Sequence, residues 1–132
     1  MPSLCHPDSP DTQNIYSTTL GNMTEFEERD IVYSDGGEEP KTIHYIATGA
    51  RDGPLLIFLH GFPAIARTWL PQLKAFSSLG FRVVAPDMPG YGKSSTSKDI
   101  LSYSHKRLNA GLLALLGDTG RDAAVWAGHD WG

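Results

Sequence analysis

An α/β fold with a mostly parallel sheet is predicted by two features of this 132-residue sequence. Three short segments, PLLIFLHG, FRVVAPD and AAVWAG, each hold an unbroken apolar run, five residues long from Leu55 to Leu59 in the first, as strands covered on both faces do. The stretches between them carry apolar residues at helical spacing, and strand–helix alternation of this kind requires crossover connections between parallel strands. In such sheets functional residues gather at the carboxyl ends of the strands. The peptides after the three runs are therefore where chemistry is sought.

Residues 1 to 23 are rich in Pro, Ser, Asp and Thr and predict a flexible extension, leaving 24–132 as one partial domain. From Phe26, the segments FEERDIVYSDG and KTIHYIATG combine β-branched and aromatic residues in partial alternation, and each ends in Gly. They predict a hairpin turning around Gly36 and Gly37. The first fully apolar strand starts at Leu55. Trp69, Leu73 and Phe76 mark one helix, and Leu101, Leu108, Leu112, Leu115 and Leu116 a second. FRVVAPD lies between these helices, and AAVWAG follows the second.

Charged residues make up 20% and hydrophobic ones 40% of the sequence, the balance of a soluble globular protein. A formal charge of −4 with scattered basic residues excludes a nucleic-acid partner. No run approaches the roughly 20 apolar residues of a membrane span, and the N-terminus lacks the pattern of an export signal. A cytoplasmic location is expected. Cys5 stands alone and forms no internal disulfide, and Asn22-Met23-Thr24 matches a glycosylation acceptor by chance.

Of the three strand-end peptides, DMPGYGKSS ends like a phosphate loop in Gly92-Lys93-Ser94, but Asp87 occupies the place of the first glycine, where its carboxylate would repel phosphate. A dinucleotide loop fails as well, since Gly90 and Gly92 are followed by Ser95 at the third glycine position. A tight Pro-Gly turn accounts for the peptide. His129 and Asp130 could be two metal ligands, yet they lack partners at suitable spacing, and neighbouring residues point apart. No G-x-S-x-G occurs, so a serine nucleophile of that type is excluded.

GHDWG fits the small-x-nucleophile-x-small pattern with aspartate at its centre. A sharp strand-to-helix turn pushes the central side chain out beyond the sheet, and close packing then requires small residues two before and two after it. Gly128 and Gly132 satisfy this for Asp130. HGFP, after the first apolar strand, is the loop that can bring one backbone N–H to a developing oxyanion, the residue after the nucleophile supplying the other. Phe62 and Trp131 are the two expected donors, with His60, Gly61 and Pro63 supporting the loop. His60 is read as a buried, hydrogen-bonded structural histidine, and a cis bond before Pro63 is possible.

Taken in order, LIFLHGFP with Trp69 beyond it, RVVAPDMPGYGKSS and AAVWAGHDWG resemble the front half of an α/β-hydrolase of the epoxide hydrolase branch, over about Phe26 to Gly132. The resemblance implies an N-terminal hairpin followed by β-α-β-α-β as far as the nucleophile elbow. It also implies a small-molecule epoxide as substrate: Asp130 attacks an epoxide carbon to form an ester, which water activated by a His–acid pair hydrolyses to a diol. Carboxylates are ionised at neutral pH and can attack saturated carbon directly. No cofactor or metal is implied. Haloalkane dehalogenases use the same aspartate and often a Trp after it, but usually place a polar residue where this chain has Phe62, which favours the epoxide.

The resemblance further implies elements that the chain does not carry before its last residue, Gly132: the helix after the elbow, a cap with proton-donating tyrosines, and the catalytic histidine with its acid. None of His6, His44, His60, His105 and His129 is expected to replace that base. Alone, the chain is expected to be inactive and marginally stable, with AAVWAG an apolar edge. The alternative is a non-catalytic truncated fragment that pairs with a protein of unknown identity.

Overall fold

The computed structural model describes residues 26–132; the expectations for the extension, Cys5, His6 and Asn22 lie outside them. Five strands form one sheet: β1 (Glu27–Tyr33), β2 (Lys41–Gly49), β3 (Leu55–Leu59), β4 (Arg82–Pro86) and β5 (Val125–Gly128). Their order across the sheet is β1-β2-β4-β3-β5. β2 runs antiparallel to both β1 and β4, while β3 is parallel to β4 and β5. Four strands thus share one direction and β2 opposes them. Two helices, α1 (Leu70–Ser78) and α2 (His105–Asp118), make the crossovers.

Period-two alternation divides the core into two layers. On one face Ile46, Leu56, Phe58, Val83 and Ala85 pack against Leu73 of α1. On the other, Tyr45, Ala47, Ile57, Leu59 and Val84 pack against Leu115 of α2. Consecutive strand residues belong to opposite layers, which is why the central strands read as unbroken apolar runs. The connections leaving β3 and β4 turn to opposite faces, and between such loops a crevice opens at the carboxyl end of the sheet.

Helix boundaries differ from those the apolar spacing predicts. Leu101 lies in a separate 3₁₀ turn, Ile100–Tyr103, and is 62% exposed. The Asp99 side chain caps that turn by accepting from the Leu101 N–H, and extended Ser104 then breaks the chain before α2. Trp69 ends another 3₁₀ turn, Ala66–Trp69, instead of lying inside α1. Its ring stacks on Phe58 at 4.7 Å, and its buried indole N–H has no partner among the described residues.

β5 is the apolar edge expected of AAVWAG in this chain: its run reads as a strand covered on both faces, yet Val125 is 60% and Trp126 40% exposed. Among the described residues β5 pairs only with β3, and α2 lies over the β1 side of the sheet, so its apolar side chains have little to pack against.

Candidate active site

Beyond β5 the chain reverses within His129–Gly132, closed by the Gly132 N–H donating to the His129 carbonyl at 3.0 Å. Asp130, at the bend, has φ +60°, and it alone among the described non-glycine residues has positive φ. A side chain in this left-handed region costs about 1–3 kcal/mol and persists only where its surroundings enforce it. Gly128 and Gly132 are that enforcement. A Cβ on Gly128 would strike the Gly132 carbonyl, and one on Gly132 would strike the Leu59 carbonyl. The His129 N–H donates to the same Leu59 oxygen at 3.2 Å, tying the bend to the end of β3.

The His60–Pro63 loop meets the bend from β3. A Cβ on Gly61 would come within 2.5 Å of both Asp130 Cβ and the His129 carbonyl, so only glycine allows this approach. The next peptide then delivers its amide: Phe62 N–H donates to Asp130 Oδ2 at 3.0 Å. The Phe62–Pro63 bond is cis. The other predicted donor, the Trp131 N–H, has no hydrogen-bond partner among the described residues.

His60 is 3% exposed. The Met88 N–H donates to its Nε2 at 2.9 Å, so Nε2 accepts and Nδ1 carries the ring proton, 3.1 Å from the Gly61 carbonyl. Both ring nitrogens are therefore occupied, Nε2 joining the loops after β3 and β4 and Nδ1 bracing its own loop. Asp87 does related work. Its Oδ1 accepts from the Ala66 N–H at 2.8 Å and its Oδ2 from the Lys93 N–H at 2.9 Å. The glycine-rich loop that superficially resembles a phosphate cradle is wrapped around a carboxylate of its own, with Gly92 at φ +50° so close that a Cβ would collide with Asp87 Oδ2.

The crevice contains a cavity of about 610 Å³. His60, Gly61 and Phe62 form one wall, Met88 to Tyr91 a second, and Tyr103, His105 and Leu108 a third, with Trp131 beside the elbow. The rings of Phe62 and Trp131 are 68% and 84% exposed. Tyr103 donates its hydroxyl to the Ser97 carbonyl and accepts from the Ser97 N–H, which fixes its ring under Gly90. Tyr103 and His105 carry no sequence signal for this role, because only the packing of α2 and its leading turn brings them beside the strand ends, whereas Tyr91 lies in the strand-end peptide DMPGYGKSS, which the sequence reads only as a turn. His129 is exposed beside Asp130, and His44 pairs with Asp30 at 2.6 Å on β2 and β1.

A parallel sheet ending in a glycine-flanked aspartate bend, met by a loop from the neighbouring strand, has the strand-to-helix elbow geometry of the α/β-hydrolase class of folds. Residues 54–132, more than half of the chain, match the family described as alpha/beta hydrolase fold, and the chain belongs to it. Epoxide hydrolase A of Mycobacterium tuberculosis is 43% identical over 90 residues, covering 68% of this chain and 28% of that protein. Bifunctional epoxide hydrolase 2 of Sus scrofa is 40% identical over 90 residues, 68% of this chain and 16% of that protein. The crystal structure of epoxide hydrolase VrEH1 from Vigna radiata superposes with a TM-score of 0.74 at 36% identity, over 83% of this chain and 32% of that one. Epoxide Hydrolase A from Mycobacterium thermoresistibile gives 0.74 at 38% identity, over 81% and 32%. The chain spans less than a third of the length of these relatives.

Proposed function

We propose that this chain carries the nucleophile and oxyanion hole of an epoxide-opening hydrolase. The observation that carries the reading is the Phe62 N–H to Asp130 Oδ2 hydrogen bond at 3.0 Å, made to a side chain held at φ +60°. It leaves Asp130 Oδ1 without a hydrogen bond among the described residues. Oδ1 attacks an epoxide carbon; the new C–O bond forms as the ring C–O bond breaks, and the departing alkoxide oxygen takes a proton from an acid. Oδ2 becomes the ester carbonyl oxygen, already seated on one amide. When water adds to that carbonyl, the negative charge growing on Oδ2 is met by Phe62 N–H and by the unspent Trp131 N–H.

Ester hydrolysis needs a base to activate water, a contribution of about 10²–10⁴-fold. Among the described residues the histidine with a carboxylate partner is His44, on β2, while the ring of His60 is committed to Met88 and Gly61. The chain of residues 1–132 is therefore expected to form the ester faster than it releases it. The haloalkane alternative fits less well, because the phenyl ring at position 62 offers a departing halide no hydrogen bond.

Incubation with styrene oxide, tryptic digestion and fragment-ion mass spectrometry tests this. The expected result is one epoxide mass on the peptide after Arg121, located at Asp130 rather than Asp122, and absent from Asp130→Asn. Modification that is unchanged in that variant would sink the proposal.

A further inference from the structure

At the opposite end of the sheet, where β3 and β4 begin, lies a second hollow of about 90 Å³. Four of the chain's six arginines line it: Arg29 on β1, Arg51 before β3, Arg82 at the start of β4, and Arg121 after α2. Two carboxylates answer them. Glu27 holds Arg82 through paired contacts of 3.3 and 3.2 Å and Arg51 at 3.2 Å. Asp118 accepts from the Tyr45 hydroxyl at 2.5 Å and stands 4.0 Å from Arg29. Asp52 and Asp122, next in sequence to Arg51 and Arg121, do not line the hollow.

Four guanidinium groups against two carboxylates leave a local surplus of positive charge in a chain whose net charge is −4. Arg121 is the least compensated. It has no carboxylate partner among the described residues, and its Nη2 is held by the carbonyls of Arg51 and Gly53 at 2.8 and 2.7 Å. That fixes the guanidinium in place, while its remaining N–H groups make no bond among the described residues. Arg82 and Tyr45, 9% and 1% exposed, are held by the core. Positive charge converging on a concave, partly desolvated spot raises the local concentration of anions. Rigid guanidinium forks match the oxygens of phosphate.

We propose that this hollow binds a small oxyanion of the phosphate type. Its volume equals the share of about three waters, far below the roughly 300–1,000 Å³ of sites for drug-sized ligands, so the part of a ligand it encloses is of phosphate size. Free phosphate and the phosphate of a modified side chain share this chemistry.

The test is a titration of the 132-residue chain with inorganic phosphate, ionic strength held constant with sodium chloride, followed by the arginine Nε–H resonances in two-dimensional NMR. A saturable shift of the Arg121 resonance is expected. Arg121→Gln should weaken binding at least about fivefold as read at the other arginines, while Arg67→Gln, remote from the hollow, leaves it unchanged. Should Arg121→Gln fail to fold, Arg51→Gln, altering a side chain that is 74% exposed, carries the same expectation. O-phosphoserine binding more tightly than phosphate assigns the site to a phosphorylated side chain; equal or weaker binding assigns it to the free ion. No saturable shift, or full binding by both variants, overturns the proposal.

Discussion

At Asp130 one backbone angle and the proposed nucleophilic role are coupled. Its φ of +60° is a conformation that glycine adopts freely and that costs an L side chain about 1–3 kcal/mol. Asp130→Gly should therefore be more stable than Asp130→Ala by about 1 kcal/mol, read as a higher urea midpoint, while both variants lose ester formation. Equal midpoints would mean that the bend is unstrained. Much of this was legible in GHDWG and HGFP, because small residues in fixed positions report steric crowding directly. Which of the two Asp130 oxygens meets Phe62 was not, since it depends on how two loops from different strands come together.

Among the elements, the loop after β4 is anchored by a buried carboxylate. Asp87, 4% exposed, satisfies the amides of Ala66, which starts the 3₁₀ turn before α1, and of Lys93, in the loop leading toward α2. Asp87→Ala leaves two amide donors without partners, one of them buried, and is expected to cost about 2–5 kcal/mol. Chemical denaturation measures this, and a loss below about 0.5 kcal/mol would show that water replaces the carboxylate without penalty. From sequence alone Asp87 was legible only as the residue that spoils a phosphate loop. Its positive role needs the fold, because Ala66 lies 21 residues away. The misplaced helix starts at Trp69 and Leu101 have a similar origin: apolar spacing runs on through 3₁₀ turns, and the break at Ser104 is a matter of backbone angles.

For the whole molecule, Tyr45 joins the sheet to the end of α2. Burial, and then the Asp118 carboxylate it bonds, push its hydroxyl pKa up from 10.0 to about 12. The folded state thus holds this proton more tightly than the unfolded chain. Its contribution is complete below pH 10 and is lost as pH rises towards about 12, amounting to at most ~3 kcal/mol. Urea midpoints measured from about pH 9 to about pH 12 should fall for the natural chain and fall less steeply for Tyr45→Phe. Parallel curves would remove Tyr45 from the account.

The order of elements, the alternation that splits the core into two layers, and the glycine-flanked aspartate were determined by the sequence itself, because each follows from local sterics or from the period of a strand or helix. Only the tertiary structure decided that β4 lies between β2 and β3, that β3 is the strand β5 pairs with, and that four arginines from separate elements surround one hollow. Those facts depend on which distant segments meet, and residue spacing along a chain carries no information about that meeting until the sheet order is known.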